Sequence, residues 1–319
     1  MLRVGAVDCG TNSIRLLVAD VDSRTGALRD VLRRMEVVRL GFGVDRTGRI
    51  DPEAMARTLA MAREYAGQCS ELGATGVRFV ATSASRDASN ADEFVAGVRE
   101  AFGAFGTAPE VVSGAQEAAL SFRGATGDLV AAGIEGPYLV VDLGGGSTEF
   151  VRGTTQVEAA LSVDIGCVRM TERHLTTDPP TSPEIAAAVA DIDQEVDRAA
   201  REVGFAGTRT LVGLAGTVTT VTAHTLGLEA YDPVRIHLAS TSVPATREAA
   251  HALLAMTRAE RSALGFMHPG RVDVIGAGAL VWDRVIDRVA RDSGWGNDLT
   301  VVASEHDILD GIALSLATS

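Results

Sequence analysis

Two widely separated stretches of this chain repeat one design. The run V-G-A-V-D-C-G-T-N-S at 4–13 leads into an apolar stretch at 14–21, and Y-L-V-V-D-L-G-G-G-S-T-E at 138–149 leads into Phe150 and Val151. Each reads as an apolar strand ending at an aspartate (Asp8 or Asp142), a glycine turn with hydroxyl residues, and a second strand. A duplicated β-hairpin predicts two similar half-domains facing one another.

The segments between the hairpins carry helix start signals. Asp51-Pro52 predicts an N-cap with proline at the first helical position, opening a helix to about 72. Residues 77–81 predict a strand ending at Thr82. Asn90 with Glu93 reads as a capping box for a helix to about 102, and Ser113 with Gln116 opens another through about 122. The small, weakly patterned residues 124–136 mark the expected boundary. The domains are then 1–125 and 126–303, with a C-terminal helix at about 304–319 packing back on the first. The second half alternates a helix at 182–203, a strand at 210–213 leading into Ala215-Gly216-Thr217 and a helix, a strand at 272–276 with a helix at 277–290, and a strand at 301–303 before the last helix. Strands alternating with helices predict an α/β fold.

Composition removes several functions. All 29 basic residues are arginine, so a lysine-dependent phosphate loop and a Schiff-base enzyme are excluded. The net charge of −13 argues against nucleic acid or a membrane surface as partner. No apolar run is long enough to span a bilayer. The opening Met1-Leu2-Arg3 meets Asp8 too soon for a secretory h-region. With three scattered cysteines, Cys9, Cys69 and Cys167, a reducing cytoplasm is the expected setting, and Cys9 reads as a small apolar filler. Residues 24–49 hold seven arginines against Asp30, Glu36 and Asp45, a local balance of +4; this suits either a polyanion or an ordinary solvated face. Six histidines are scattered without metal-ligand spacing and are given no zinc role.

The chemistry concentrates at 142–149. Backbone N–H groups of Gly144, Gly145 and Gly146, with the Ser147 and Thr148 hydroxyls, form a concavity suited to an anion. Asp142 beside such a nest repels phosphate unless a divalent cation lies between, and Mg²⁺ is bound in just that way, by one or two carboxylates plus phosphate oxygens. Arg86, in the T-S-A-S-R-D loop at 82–87, offers a bidentate donor to phosphate, or else a structural partner for Asp87 or Asp92. Glu117, in the first turn of its helix, reads on spacing alone as a residue complementing the helix dipole.

Taken together, A-V-D-C-G-T-N-S-I-R-L-L-V at 6–18, R-L-G-F-G-V-D at 39–45, A-T-S-A-S-R-D-A-S-N at 81–90, S-G-A-Q-E-A at 113–118 and V-D-L-G-G-G-S-T-E at 141–149 resemble the exopolyphosphatase/guanosine pentaphosphate phosphohydrolase family. A-G-T-V-T-T at 215–220 and V-I-G-A-G-A at 274–279 extend the likeness along the chain. The resemblance implies two ribonuclease-H-like domains of the actin-like ATPase superfamily with a cleft between them. It implies Glu117 as the catalytic base that activates water, and Asp142, Glu149 and Asp8 as the acidic residues around Mg²⁺, with Mn²⁺ as the alternative ion. It assigns Arg86 to phosphate, together with one phosphate loop at Thr11, Asn12 and Ser13 and a second at Gly144, Gly145, Gly146 and Ser147. A third loop, Gly216 and Thr217, enters the cleft. A homodimer is implied as well. Three departures stand out. Gln116 replaces the first of two glutamates, Asp307 to Gly311 lacks the family's arginine, and the chain resembles the short, two-domain branch.

The expected activity is Mg²⁺-dependent removal of the terminal phosphate of inorganic polyphosphate, with short chains favoured. Guanosine pentaphosphate is the competing substrate; aromatics total only 4%, and none near the motifs offers a guanine platform. An actin-like ATPase or kinase would share the hairpins but need an adenosine pocket. S-x-x-R at 83–86 and G-x-x-E-A at 114–118 favour the phosphatase. A non-catalytic polyphosphate-binding protein gains nothing from Asp8, Glu117, Asp142 and Glu149 facing a polyanion.

Overall fold

The computed structural model describes residues 1–317; positions 318 and 319, which the expected C-terminal helix included, lie outside the described residues. The chain divides into two units, Met1–Gly124 with the stretch from Asp307 onward, and Ala125–His306.

The first unit is built on a sheet of β1 (Leu2–Cys9), β2 (Ser13–Val21), β3 (Leu28–Val37), β4 (Gly76–Ala81) and β5 (Glu110–Val111), in the order β3-β2-β1-β4-β5. The first three strands form an antiparallel meander, and β1 pairs in parallel with β4 and β4 with β5. The second unit holds β6 (Tyr138–Leu143), β7 (Thr148–Gly153), β8 (Val157–Val163), β9 (Thr210–Leu214), β10 (Ser240–Thr241) and β11 (Thr300–Ala303), in the order β10-β11-β9-β6-β7-β8. Taken from the β8 edge, this is the first sheet's order and strand direction again, with β10 added. Each unit is a ribonuclease-H-like α/β domain.

Both faces of the first sheet are covered, so its central strands are apolar on alternate sides. Val7, Cys9, Ile14, Leu16 and Val18 join one core with residues of the Pro52–Glu71 helix. Val4, Ala6, Leu17, Ala19 and Val21 join the other with Leu120 and the Ile308–Leu316 helix. In the second unit, Gly213 on β9 lies so close to Trp282 that a Cβ there would sit 2.7 Å from the buried indole.

Three expectations are corrected. The helix expected to end at about 122 runs on to Ala131, through the first part of 124–136. Its small residues mark close packing: a Cβ on Gly124 would lie 1.8 Å from the Asp307 carbonyl oxygen, and one on Gly311 would lie 2.0 Å from that of Leu120. The apolar run 272–276 is not a strand; a 3₁₀ turn, Pro269–Arg271, leads almost directly into the Ile275–Ser293 helix, and five apolar-rich residues cannot by themselves separate the two outcomes. Asn90 makes no capping box, since its side chain accepts from Ile50 N–H (2.8 Å) and donates to Ile50 C=O (3.1 Å). Beyond these, β3 and β8 carry no clean alternation and escape a sequence reading.

The arginine-rich region is largely consumed by the fold. Arg29 pairs with Asp20, Arg33 with Asp30 and Asp310, and Arg34 with Glu36 and Glu64. Charges along β3 also blunt the sheet edge against unwanted pairing. Among the described residues no helix is long and apolar enough to cross a membrane.

Candidate active site

The first hairpin turns at Gly10-Thr11-Asn12, where the Gly10 N–H donates to Ser13 C=O at 3.0 Å. The second closes by the equivalent bond, Gly144 N–H to Ser147 C=O, also 3.0 Å. The sequence echo is thus a structural one.

In each turn the carbonyls are engaged from one side. Gly41 N–H donates to Thr11 C=O (2.8 Å), and Val38 and Arg39 N–H groups to Asn12 C=O (3.1 and 2.8 Å). In the second turn, Cys167 N–H donates to Gly144 C=O (3.0 Å), Val168 N–H to Gly145 C=O (2.9 Å) and Gly166 N–H to Gly146 C=O (3.2 Å). Arg169 Nε adds a 2.7 Å bond to Gly146 C=O. A planar trans peptide points its N–H opposite to its C=O. The amides of Asn12 and Ser13, and those of Gly145, Gly146 and Ser147, therefore turn away from these supports, as an anion nest requires. None of Gly144, Gly145 and Gly146 takes the left-handed conformation, so their glycine character serves close approach rather than positive φ. Gly166 is equally constrained: a Cβ there would meet Gly145 at 2.3 Å.

Parallel pairing gathers the remaining residues at the carboxyl ends of the strands. Beside β1, Thr82 N–H donates to Cys9 C=O (3.1 Å), which brings the loop bearing Arg86 next to the first turn. Arg86 Nη1 donates to Glu117 Oε2 (3.0 Å) and to Val112 C=O (2.9 Å). The structure thus pairs two of the predicted residues and rejects Asp87 and Asp92 as the arginine's mates. Glu117 is buried, 8% exposed, on the first turn of its helix, whose start is closed by Ser113 and Gln116. The buried Thr11 hydroxyl has no hydrogen-bond partner.

Asp8 is held by Arg15, whose Nε and Nη2 donate to Asp8 Oδ2 at 2.9 and 2.7 Å, while Nη1 reaches Asp307. One guanidinium thus serves two buried carboxylates. Burial pushes the Asp8 carboxyl above its ordinary range against the opposing pull of Arg15, whereas Arg15 holds Asp307 below it. Asp8 has a protein cation of its own. The Cys9 thiol is raised well above its usual value by burial and by Asp8, which leaves it no nucleophilic role.

The second unit differs at the corresponding place. Asp142 and Glu149 are directly opposed across β6 and β7, so both carboxylates project from one face, 6% and 1% exposed. Ser162 Oγ donates to Glu149 Oε1 at 2.7 Å. Like charges directly opposed on a sheet are destabilising. Two hard oxygen donors buried together fit a divalent cation such as Mg²⁺.

Gly216 and Thr217 start the Ala215–Thr225 helix beside this hairpin, since Asp142 pairs with Leu214. Ala215 has φ 69°, a left-handed conformation uncommon for a residue with a side chain. Sequence reasoning missed two neighbours. The Arg271 guanidinium lies on Gly216, where a Cβ would come within 2.2 Å of its Cζ. Tyr231 donates its hydroxyl to Glu305 at 2.6 Å and shares the field of Arg271. The glycine, which alone leaves room for the guanidinium, was the available signal for Arg271.

Comparison with known proteins places these features. The model of the Ppx/GppA phosphatase family matches residues 17–316. The exopolyphosphatase 2 of Mycobacterium tuberculosis is 51% identical over 321 residues, 99% of either chain. A solved exopolyphosphatase-like protein superposes with a TM-score of 0.93 at 47% identity, covering 99% of this chain and 97% of its own. The Aquifex aeolicus member of the Ppx/GppA family superposes with 0.79 at 28% identity, covering 99% and 97%. This chain, with its twin hairpins and its Arg86–Glu117 pair, belongs to the Ppx/GppA phosphatase family.

Proposed function

We propose that this protein is an exopolyphosphatase, hydrolysing the terminal phosphoanhydride bond of inorganic polyphosphate. The observation that carries the reading is the second hairpin, where two opposed buried carboxylates stand beside a turn whose amides face outward. Full-length similarity to a named exopolyphosphatase agrees with it.

Phosphoryl transfer asks the protein mainly for positioning and charge stabilisation. The outward amides of Gly145, Gly146 and Ser147 bind phosphate oxygens, and the amides of Asn12 and Ser13, with the Thr11 hydroxyl, offer the same kind of anion nest. Asp142 and Glu149 would hold Mg²⁺, or Mn²⁺ in its place, which neutralises phosphate oxygens and the charge that develops on them. Glu117 accepts the proton of the attacking water. Arg86 fixes the Glu117 carboxylate with one nitrogen and offers its remaining donors to phosphate. Gly216, Thr217 and Arg271 take the phosphate chain beyond it. Asp8 acts through Arg15 rather than as a metal ligand. We further propose a cytoplasmic homodimer, which the resemblance and the three free, buried thiols support.

Guanosine pentaphosphate hydrolysis is the second reading, favoured by Tyr231, an aromatic 37% exposed next to the third loop. One assay tests both: phosphate release with Mg²⁺ from short polyphosphate, long polyphosphate, guanosine pentaphosphate and ATP. Release from polyphosphate without ATP consumption is expected, and inertness towards every phosphoanhydride would end the proposal.

A further inference from the structure

Three residues from distant parts of the second unit converge outside the catalytic residues. Asp128 lies near the end of the Gly114–Ala131 helix, His237 caps the Pro233–Ile236 turn, and His306 follows β11. His306 Nδ1 is 2.5 Å from Asp128 Oδ2, and His237 Nε2 is 3.5 Å from the same oxygen. The two imidazole rings are 4.6 Å apart and tilted by 44°. One donor atom from each residue lies within 4.8 Å of the others. A tetrahedral ion with bonds of about 2.0–2.2 Å keeps its ligand atoms roughly 3.3–3.5 Å apart. The trio brackets that spacing. We propose that Asp128, His237 and His306 form a second metal site, separate from the catalytic carboxylates and suited to a zinc-class ion rather than Mg²⁺.

The donor set decides the class, because two imidazoles and one carboxylate suit Zn²⁺ and its neighbours, whereas Mg²⁺ takes oxygen. The supports are those of a fixed site. Ser304 Oγ accepts from His306 N–H (3.1 Å) and donates to His306 C=O (2.8 Å). Next to His237, Leu238 is held left-handed at φ 59°, with its N–H on Ala303 C=O at 2.8 Å. That bond ties the His237 segment to the strand that delivers His306. All three side chains are partly exposed, leaving solvent to complete the coordination shell.

Without an ion, both imidazoles lean their N–H groups on one carboxylate. Ligation through His237 Nε2 needs the neutral tautomer whose single proton sits on Nδ1, the atom that without an ion accepts from Glu305 N–H at 3.3 Å. Binding therefore shifts Glu305, the residue that also receives the Tyr231 hydroxyl. Asp128 and His306 lie near the two ends of the second unit, Ala125 and His306, so an ion joins both ends of that unit.

The test uses full-length protein stripped with EDTA and titrated with Zn²⁺ by calorimetry in excess Mg²⁺, then with Co²⁺ followed by visible absorption. One tight Zn²⁺ per chain and tetrahedral Co²⁺ bands are expected. Both should be weakened about 100-fold or more in His306→Gln and in His237→Ala. Asp128→Asn, nearly isosteric, serves if a histidine variant misfolds, with circular dichroism confirming its fold. Mg²⁺-dependent phosphate release by His306→Gln should match the parent. Absence of Zn²⁺ uptake overturns the proposal. So does unchanged Zn²⁺ affinity in any folded variant of the three residues. Neither outcome depends on whether the protein cleaves polyphosphate.

Discussion

Arg15 and Glu149 hold the same station in two copies of one hairpin: each lies directly across the strand pair from the hairpin's aspartate, Asp8 or Asp142. Arg15 neutralises Asp8, while Glu149 doubles the charge of Asp142. One repeat is thereby locked by its own ion pair. The other sets two buried carboxylates across from each other.

Removing either carboxylate of the second hairpin should trade activity for stability. Asp142→Asn or Glu149→Gln relieves a like-charge pair worth about 0.2–1 kcal/mol. We expect each variant, measured without Mg²⁺, to melt at or above the parent temperature, while phosphate release falls by at least about 100-fold. A lower melting point in both variants would count against the like-charge argument.

Glu117→Gln should lower turnover by roughly 10²–10⁴-fold, the usual worth of general-base assistance, while polyphosphate binding stays measurable by calorimetry. Arg86→Ala should depress turnover through the loss of the 3.0 Å contact that fixes Glu117, and Arg86→Lys should recover only part of it. Parent-like rates in Glu117→Gln would remove Glu117 from the base role.

Arg15→Met leaves Asp8 and Asp307 buried without their shared cation, and should cost about 3 kcal/mol at pH 7 by urea denaturation. The pH dependence has a definite sign. In the parent, the lowered Asp307 carboxyl contributes stability that is complete above the ordinary carboxyl range and is lost as pH falls through its folded value. In the variant both carboxyls rise above that range. Its deficit should then be largest at neutral pH and shrink as the pH is lowered and they protonate. A deficit independent of pH would show that lost packing dominates.

Gly311→Ala and Gly124→Ala each drive a methyl group into backbone, within 2.0 Å of Leu120 O and 1.8 Å of Asp307 O. Overpacking against an atom that cannot swing aside should cost about 1–3 kcal/mol or more in the urea midpoint. Alanine at Gly127, which meets nothing within 4 Å, is the control.

Burial pushes the Cys69 thiol up to about 12 and that of Cys167 up to about 11, and raises the Cys9 thiol well above its usual value. Native protein at pH 8 should resist iodoacetamide and keep its activity, with three thiols reacting only after unfolding. Rapid native labelling at any of them would contradict this burial.

The sequence by itself determined the two hairpins, the α/β alternation and the family, because glycine, aspartate and hydroxyl residues at fixed offsets write a turn locally. It also excluded lysine chemistry outright. The tertiary structure alone decided which charges meet. Arg15 bridging Asp8 to Asp307, Arg271 resting on Gly216, and Asp128 beside His237 and His306 all join residues far apart in the chain. No spacing rule reaches such pairs, since strand order and helix packing create their neighbourhoods. The same limit explains the apolar run at 272–276, whose turn-to-helix outcome was set by what it packs against. Local chemistry fixed the turns, and the topology fixed their company.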